Sequence, residues 1–161
     1  MAAKKKKKNR DGDSAMATNR KARHNYQVLE KFEAGIVLVG TEVKSVRDRK
    51  LSIDESFARV ERGELFLYNM HIMPYEQGNQ FNHEPRRTRK LLMHKREITR
   101  LHSQTQLKGY AIVPLKVYAH KGLIKIQIAL CKGKEQQDKR EAIKRRTADL
   151  ESRRAMARYV R

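Results

Sequence analysis

The chain has 161 residues, with 38 Lys/Arg against 18 Asp/Glu and a net charge of +20. That length allows one domain plus extensions, and so large a charge repels itself unless a polyanion neutralises it. No apolar run is long enough to span a membrane, the Lys4–Lys8 run has no apolar stretch behind it to make a signal peptide, and the lone Cys131 excludes an intrachain disulfide framework. The composition points to a cytoplasmic protein that binds a polyanion and has no membrane association.

Charge is densest where apolar residues are fewest. Residues 1–24 carry nine Lys/Arg against two acids, and residues 132–161 carry eleven against five. This pattern predicts a globular centre with two basic arms. Residues 1–18 are expected to form a disordered basic arm, residues 19–132 the domain, and residues 133–161 a basic tail. "YQVLEKF" reads as an imperfect strand, and "GIVLVG" (35–40), an apolar run between glycines, as a buried one. "TEVKSVRD" offers Thr41 as N-cap, Glu42 in the first turn, and Val43 and Val46 on one face, which makes a helix of about two turns.

"SFARVERGELFLY" predicts a hairpin turning at Gly63. Residues 73–85, "MPYEQGNQFNHEP", form a long loop of the kind that is usually functional or mobile. "RRTRKLLMHKREITRLHSQTQLKG" begins as a basic strand and continues as a helix, with Ile98 and Leu101 on one face and Gly109 as its stop. "YAIVPLKVYA" and "LIKIQIAL" flank a tight turn at Gly122. In the second, Ile124, Ile126, Ile128 and Leu130 alternate with Lys125 and Gln127, while Pro114 marks an edge or a bulge in the first. The expected fold is mainly β: a small, partly closed antiparallel barrel with two or three short helices. A ferredoxin-like sandwich ranks second, since it needs longer and more regularly alternating helices.

Catalytic and metal patterns are weak. His94 and His102 lie two helical turns apart without a third ligand, and His71 and His83 flank the long loop near Glu76 and Glu84. Neither a phosphate-cradling glycine loop nor a nucleophile elbow occurs, and Cys131 ends a strand as a small packing residue. Neither a metal nor a cofactor is expected, and the chain is read as a non-enzyme. The basic segments are better suited to binding. "NRKARHNY" joins Asn19, Arg20, Lys21, Arg23, His24 and Tyr26, a set able to hold phosphates and stack on an unpaired base. Arg86, Arg87, Arg89 and Lys90 follow the loop that carries Tyr75 and Phe81, and Lys125 lies on the polar face of its strand. With no Trp and few aromatic residues, folded RNA suits the chain better than a long single strand.

Three stretches, "FEAGIVLVGTEVKSVR", "NMHIMPYEQGNQFNHEPRRTRKLLMHKREI" and "KGKEQQDKREAIKRR", resemble the small protein B family. Its members are the bacterial partners of transfer-messenger RNA (tmRNA, also called SsrA RNA) in ribosome rescue. The resemblance runs from about Thr18 to Ile143, with its motifs in order and correctly spaced. It implies an oligonucleotide-binding-type barrel that grips the tRNA-like end of tmRNA and stands in for the missing anticodon arm. It also implies delivery of alanyl-tmRNA with elongation factor Tu and GTP to stalled ribosomes. A monomer would use its tail to probe the 16S rRNA decoding centre and the empty mRNA channel, so that trans-translation tags the incomplete protein. The family's RNA-binding positions fall on Glu33, Leu92 and Lys125, and its tail motif on Gly133, Lys134, Asp138, Lys139 and Arg140. The chain departs from the family pattern at Lys108, Glu135 and Gln137, where relatives often carry Glu, Lys, and an aromatic residue or His.

From Gln136 onward the tail has no Gly or Pro, and Ile143, Leu150 and Ala157 recur every seven residues. Helix propensity is good, but a stripe one residue wide docks weakly, and isolated helices are marginal in water. The tail is expected to be disordered in the free protein and helical in an RNA-lined channel, with Ile143 among its working residues. Two further readings remain: a ribosomal protein or initiation-type factor built on the same barrel, and a small RNA-processing enzyme using the His71–His83 loop.

Overall fold

The computed structural model describes residues 15–159. The elements run β1 (Ala15–Thr18), α1 (Arg20–Asn25), β2 (Tyr26–Ile36), α2 (Gly40–Arg47), β3 (Leu51–Ser52), β4 (Phe57–Glu61), β5 (Glu64–Tyr68), β6 (His71–Ile72), β7 (Arg89–Leu92), α3 (Lys95–Thr105), β8 (Tyr110–His120), β9 (Leu123–Gly133) and α4 (Gln136–Tyr159), with one 3-10 turn at Asn79–Phe81 between β6 and β7. All strand pairings are antiparallel.

The sheet closes on itself. Its order β8-β4-β5-β7-β2-β9 returns to the start because β9 also pairs with β8. Closure leaves no free edge within the barrel, and the expected oligonucleotide-binding-type barrel is the fold observed. The hairpins form where period-2 patterning meets a turn that tolerates positive φ. Arg62 and Gly63 (φ 50° and 76°) join β4 to β5, and Lys121 and Gly122 (φ 49° and 81°) join β8 to β9, the backbone of two-residue primed turns. Pro114 lies at a register shift between β8 and β9, so the bulge anticipated there is present.

Alternation fills the barrel. Phe32 and Ala34 of β2, Leu65 and Leu67 of β5, Leu91 of β7, and Ile126, Ile128 and Leu130 of β9 all face one core. The amphipathic face of α3 adds Ile98 and Leu101 to it. A smaller cluster lies on the outer side of the sheet, where Ala22 of α1 covers Val113, Leu115, Ala129 and Cys131. Cys131 is a packing residue there, and burial pushes its thiol pKa up to about 11, so it stays protonated at neutral pH.

Three local expectations are corrected. Residues 15–18 fell inside the expected disordered arm, but they form β1 and pair with Lys116–Tyr118 of β8; residues 1–14 lie outside the described residues. "GIVLVG" is not a separate buried strand. β2 absorbs Gly35 and Ile36 and ends, and Val37 and Val39 are exposed, because the chain leaves the barrel there to enter α2. That helix starts one residue before Thr41, with Val39 as N-cap and the Glu42 carboxylate accepting the Val39 N–H (3.0 Å). Beyond β9 the tail is a single long helix, and Ile143 and Leu150 are each about half exposed, consistent with a stripe too thin to enter the core.

Candidate RNA interface

The register of the closed barrel determines which cations reach its surface. On β2, Phe32 and Ala34 point inward, so Glu33 and Gly35 point outward. Gly35 pairs with Leu92 on one side and Lys125 on the other. Its missing side chain leaves a low saddle between an exposed leucine (53% accessible) and a lysine. Lys125 Nζ and the Tyr118 hydroxyl both donate to the Glu33 carboxylate. The hydrogen bonds from Lys125 and Tyr118 hold that carboxyl below the ordinary glutamate range. Lys116 Nζ lies 4.6 Å from the centroid of the Tyr118 ring, which adds a second cation to this face.

An open cavity of about 380 Å³ beside the saddle is lined by Leu38, Arg47, Leu92, Leu123 and Lys125, among others. Glu33, Leu92 and Lys125 therefore converge on one outer face, although they come from three strands. They offer a cation, a fixed carboxylate and an apolar contact. This set suits phosphate, base edge and base face together.

The other sequence-identified residues separate into accessible and committed groups. Arg20, Lys21, Arg23 and His24 are exposed on α1, and Tyr26 is half-buried at the start of β2. Asn19 is withdrawn from the interface. It is buried, its Oδ1 accepts the Ala22 N–H (2.8 Å) as an N-cap, and its Nδ2 donates to the Ile53 carbonyl (3.1 Å). The "RRTRK" run divides likewise. Arg86 is exposed, Lys90 is half-buried and paired with Glu64, and Arg87 is turned toward Glu42.

Arg89 is fully buried and is withdrawn as well. Its Nε donates to Glu42 Oε1 (2.9 Å), Nη1 to the Met70 (2.6 Å) and Arg87 (3.0 Å) carbonyls, and Nη2 to the Pro85 carbonyl (3.2 Å). Arg87 reaches the same carboxylate through Nε (2.8 Å) and Nη2 (2.6 Å). Burial works to raise the pKa of Glu42, but the hydrogen bonds from Arg87 and the Val39 N–H, together with the Arg89 charge, outweigh it and hold the group ionised. Burial lowers the Arg89 pKa, and Glu42 opposes that shift. These two cations stabilise the fold and leave little for a partner.

His83, considered above with His71 as a metal or acid–base pair, is tied into the loop. Its ring nitrogens lie 3.0 Å from Thr41 Oγ1 and 3.1 Å from the Ile72 carbonyl. Among the described residues no three His, Cys, Asp or Glu side chains gather as a metal-holding group. One connection has no counterpart in the sequence pattern. Lys134 donates from its backbone N–H to the Asn25 carbonyl (3.0 Å) and from Nζ to the Arg23 carbonyl (3.1 Å), so the root of the tail is fastened to the basic helix α1. Gly133 closes β9, donating to the Gly109 carbonyl (3.1 Å), and Arg140 and Ile143 are exposed on α4. The side chains of Asp138 and Lys139 lie outside the described part of the structure.

Fold and site together define a class: an oligonucleotide-binding-type barrel whose outer face carries unburied cations around an apolar saddle. Comparison with known proteins narrows it. The family described as SmpB protein matches residues 16–158, and the chain belongs to that family. It is 62% identical over 143 residues to an SsrA-binding protein of Pelotomaculum thermopropionicum, covering 89% of this chain and 94% of that one. It is 57% identical over 155 residues to an SsrA-binding protein of Caldicellulosiruptor bescii, covering 96% and 98%. A solved structure described as "tmRNA-SmpB: a journey to the center of the bacterial ribosome" contains a chain 49% identical to this one. It superposes with a TM-score of 0.64 over 78% of this chain and 92% of that one.

Proposed function

We infer that this protein is the tmRNA-binding adaptor of trans-translation. The barrel binds the tRNA-like domain of tmRNA through the face that carries Glu33, Leu92 and Lys125, and the basic α1 extends that contact along the phosphate backbone. The observation that carries this reading is the convergence of those three residues from three strands onto one face, in a chain of the SmpB family. The adaptor acts by positioning RNA and needs no catalytic group, metal or cofactor of its own. It acts as a cytoplasmic monomer beside elongation factor Tu, GTP and alanyl-tmRNA. No helix among the described residues is long and apolar enough to cross a membrane.

α4 supplies the second function. A helix carrying exposed cations from Arg140 to Arg154 suits an RNA-walled channel, where phosphates offset its self-repulsion. Its root at Gly133 and Lys134 is fixed against α1, so docking of the barrel also aims the helix. The helix is expected to melt in the free protein and to refold on entry, because its thin apolar stripe gives it little to pack against. Gly133, Lys134, Asp138, Lys139, Arg140 and Ile143 form the part that probes the decoding centre.

Two measurements test the reading. Sequencing the RNA that copurifies with the full chain should return one discrete tRNA-like species; bulk ribosomal RNA would instead make it a ribosomal or initiation-type factor. A chain ending after Lys132 should still bind that RNA yet fail to support tagging of stalled polypeptides. Full tagging by the truncated chain would reduce the tail to nonspecific affinity.

A further inference from the structure

The loop between β6 and β7 holds an unexplained feature. Phe81 is 81% accessible, more than any other large apolar side chain among the described residues, and it projects from a loop held in place on both sides. The Asn82 side chain accepts the Tyr75 N–H (2.9 Å) and donates to the Tyr75 carbonyl (2.6 Å), and the Phe81 N–H donates to the Gly78 carbonyl (3.0 Å). On the far side, His83 is bound to Thr41 and Ile72. The loop is also fastened to its surroundings by Lys50, paired with Glu76 at 2.5 Å, and by Lys44, 5.0 Å from the centroid of the Tyr75 ring. A rigid mount for an exposed ring incurs little ordering cost when something stacks on it.

The ring borders an open cavity of about 420 Å³ lined by Val39, Gly40, Thr41, Asn82, His83 and Arg87. Gly40 and Thr41 open α2, whose start is capped by the Glu42 carboxylate on the Val39 N–H (3.0 Å). The exposed Arg86 stands beside Arg87 in sequence. The segment Gly35–Val39 links this cavity to the Glu33–Leu92–Lys125 saddle, since Gly35 pairs with both Leu92 and Lys125 and the Val37 N–H donates to the Lys90 carbonyl (3.0 Å).

We propose that Phe81 is a stacking platform for one unpaired nucleobase of the RNA carried on that saddle, with the base on the ring and its phosphate toward Arg86. Base–aromatic stacking tolerates any base and requires only an exposed, fixed ring. The net charge of +20 favours a nucleic acid over an apolar protein as the occupant. The proposal rests on the RNA-binding reading of the barrel.

The chain has no Trp, so full-length Phe81→Trp introduces a single reporter at the site. Titration with the transcribed tRNA-like domain of tmRNA should quench its fluorescence at unchanged affinity, while a blunt, fully paired RNA duplex should not. Phe81→Leu keeps an apolar side chain without the π-face. It should weaken binding of the domain about tenfold with an unaltered salt slope and unfolding midpoint. Lys125→Ala measured in parallel separates the two claims. If Lys125→Ala weakens binding and Phe81→Leu does not, the stacking platform is wrong and the saddle stands. If Phe81→Leu weakens binding and Lys125→Ala does not, the platform stands and the saddle falls. An unquenched indole in Phe81→Trp with intact RNA affinity, or a Phe81→Leu defect seen only with ribosomal proteins, overturns the proposal.

Discussion

Glu42 and Glu33 share the same chemistry, a glutamate gripped by cations, and differ in where the barrel puts them. Glu42 is wholly buried and engages Arg87, Arg89 and the Val39 amide. Glu33 lies on an outer face with Lys125 and Tyr118. In the buried set every donor serves the fold, and removing a partner strands a charge without water. In the exposed set the ion pair is worth little to stability. It holds a lysine and a carboxylate in fixed positions beside Leu92 and Gly35 instead, on the face proposed above to meet RNA. The number of cations in a motif is therefore a poor guide to how many of them a partner meets.

The largest expected effect comes from breaking the buried side. Arg89→Met leaves Glu42 with Arg87 and the Val39 amide only, and strips the Met70, Arg87 and Pro85 carbonyls of their guanidinium donor. It should cost about 3–5 kcal/mol in urea unfolding, with any RNA-binding loss following the fraction unfolded. A cost below about 1 kcal/mol would mean that Arg89 is a surface cation after all.

Glu42→Gln comes next, at about 3 kcal/mol, because it abandons both arginines. Its pH dependence sharpens the point. The Glu42 pKa is lowered from the ordinary 4.5, so its contribution is fully present above pH 4.5 and lost as pH falls through the lower folded value. The wild-type chain should lose this increment on acidification, and the Glu42→Gln variant should lack that part of the fall. Parallel acid titrations of the two proteins would show no difference if Glu42 were not ionised in the fold.

Much of this division was legible in advance, and the remainder has identifiable causes. The hairpins and the inward isoleucines of β9 follow from strict alternation and glycine turns. The burial of Arg89 was hidden by the sameness of "RRTRK", yet it shares parity with Leu91 on β7, and on a strand residues two apart face the same side. The same parity exposes Leu92, which composition alone leaves ambiguous. Glu42 lies four residues from buried Val46 on α2, so it shares the inward face of that helix. "GIVLVG" misled because a short apolar run reads as core whether or not a strand continues through it. The Lys134 anchor on α1 joins residues more than a hundred apart, which no local pattern encodes.

On the exposed side, Lys125→Ala should weaken binding of the tRNA-like domain about tenfold, while stability moves by no more than about 0.5 kcal/mol. Filter binding and urea unfolding on the same preparations check both halves. A stability loss matching the affinity loss would erase the contrast between the two glutamates.

Arg86 gives the finest test, because it neighbours Arg87 in sequence while remaining exposed. If it meets a single phosphate, Arg86→Ala removes one released counterion and nothing structural. A plot of log affinity against log salt should then flatten by about 0.7–0.9, a few-fold change at moderate salt that vanishes as salt rises. Arg87 is partly spent on Glu42, and Arg87→Ala should instead lower the unfolding midpoint with a smaller change in slope. An unchanged slope for Arg86→Ala would confine the RNA contact to the saddle and α1, and would remove the phosphate partner assigned to the base on Phe81.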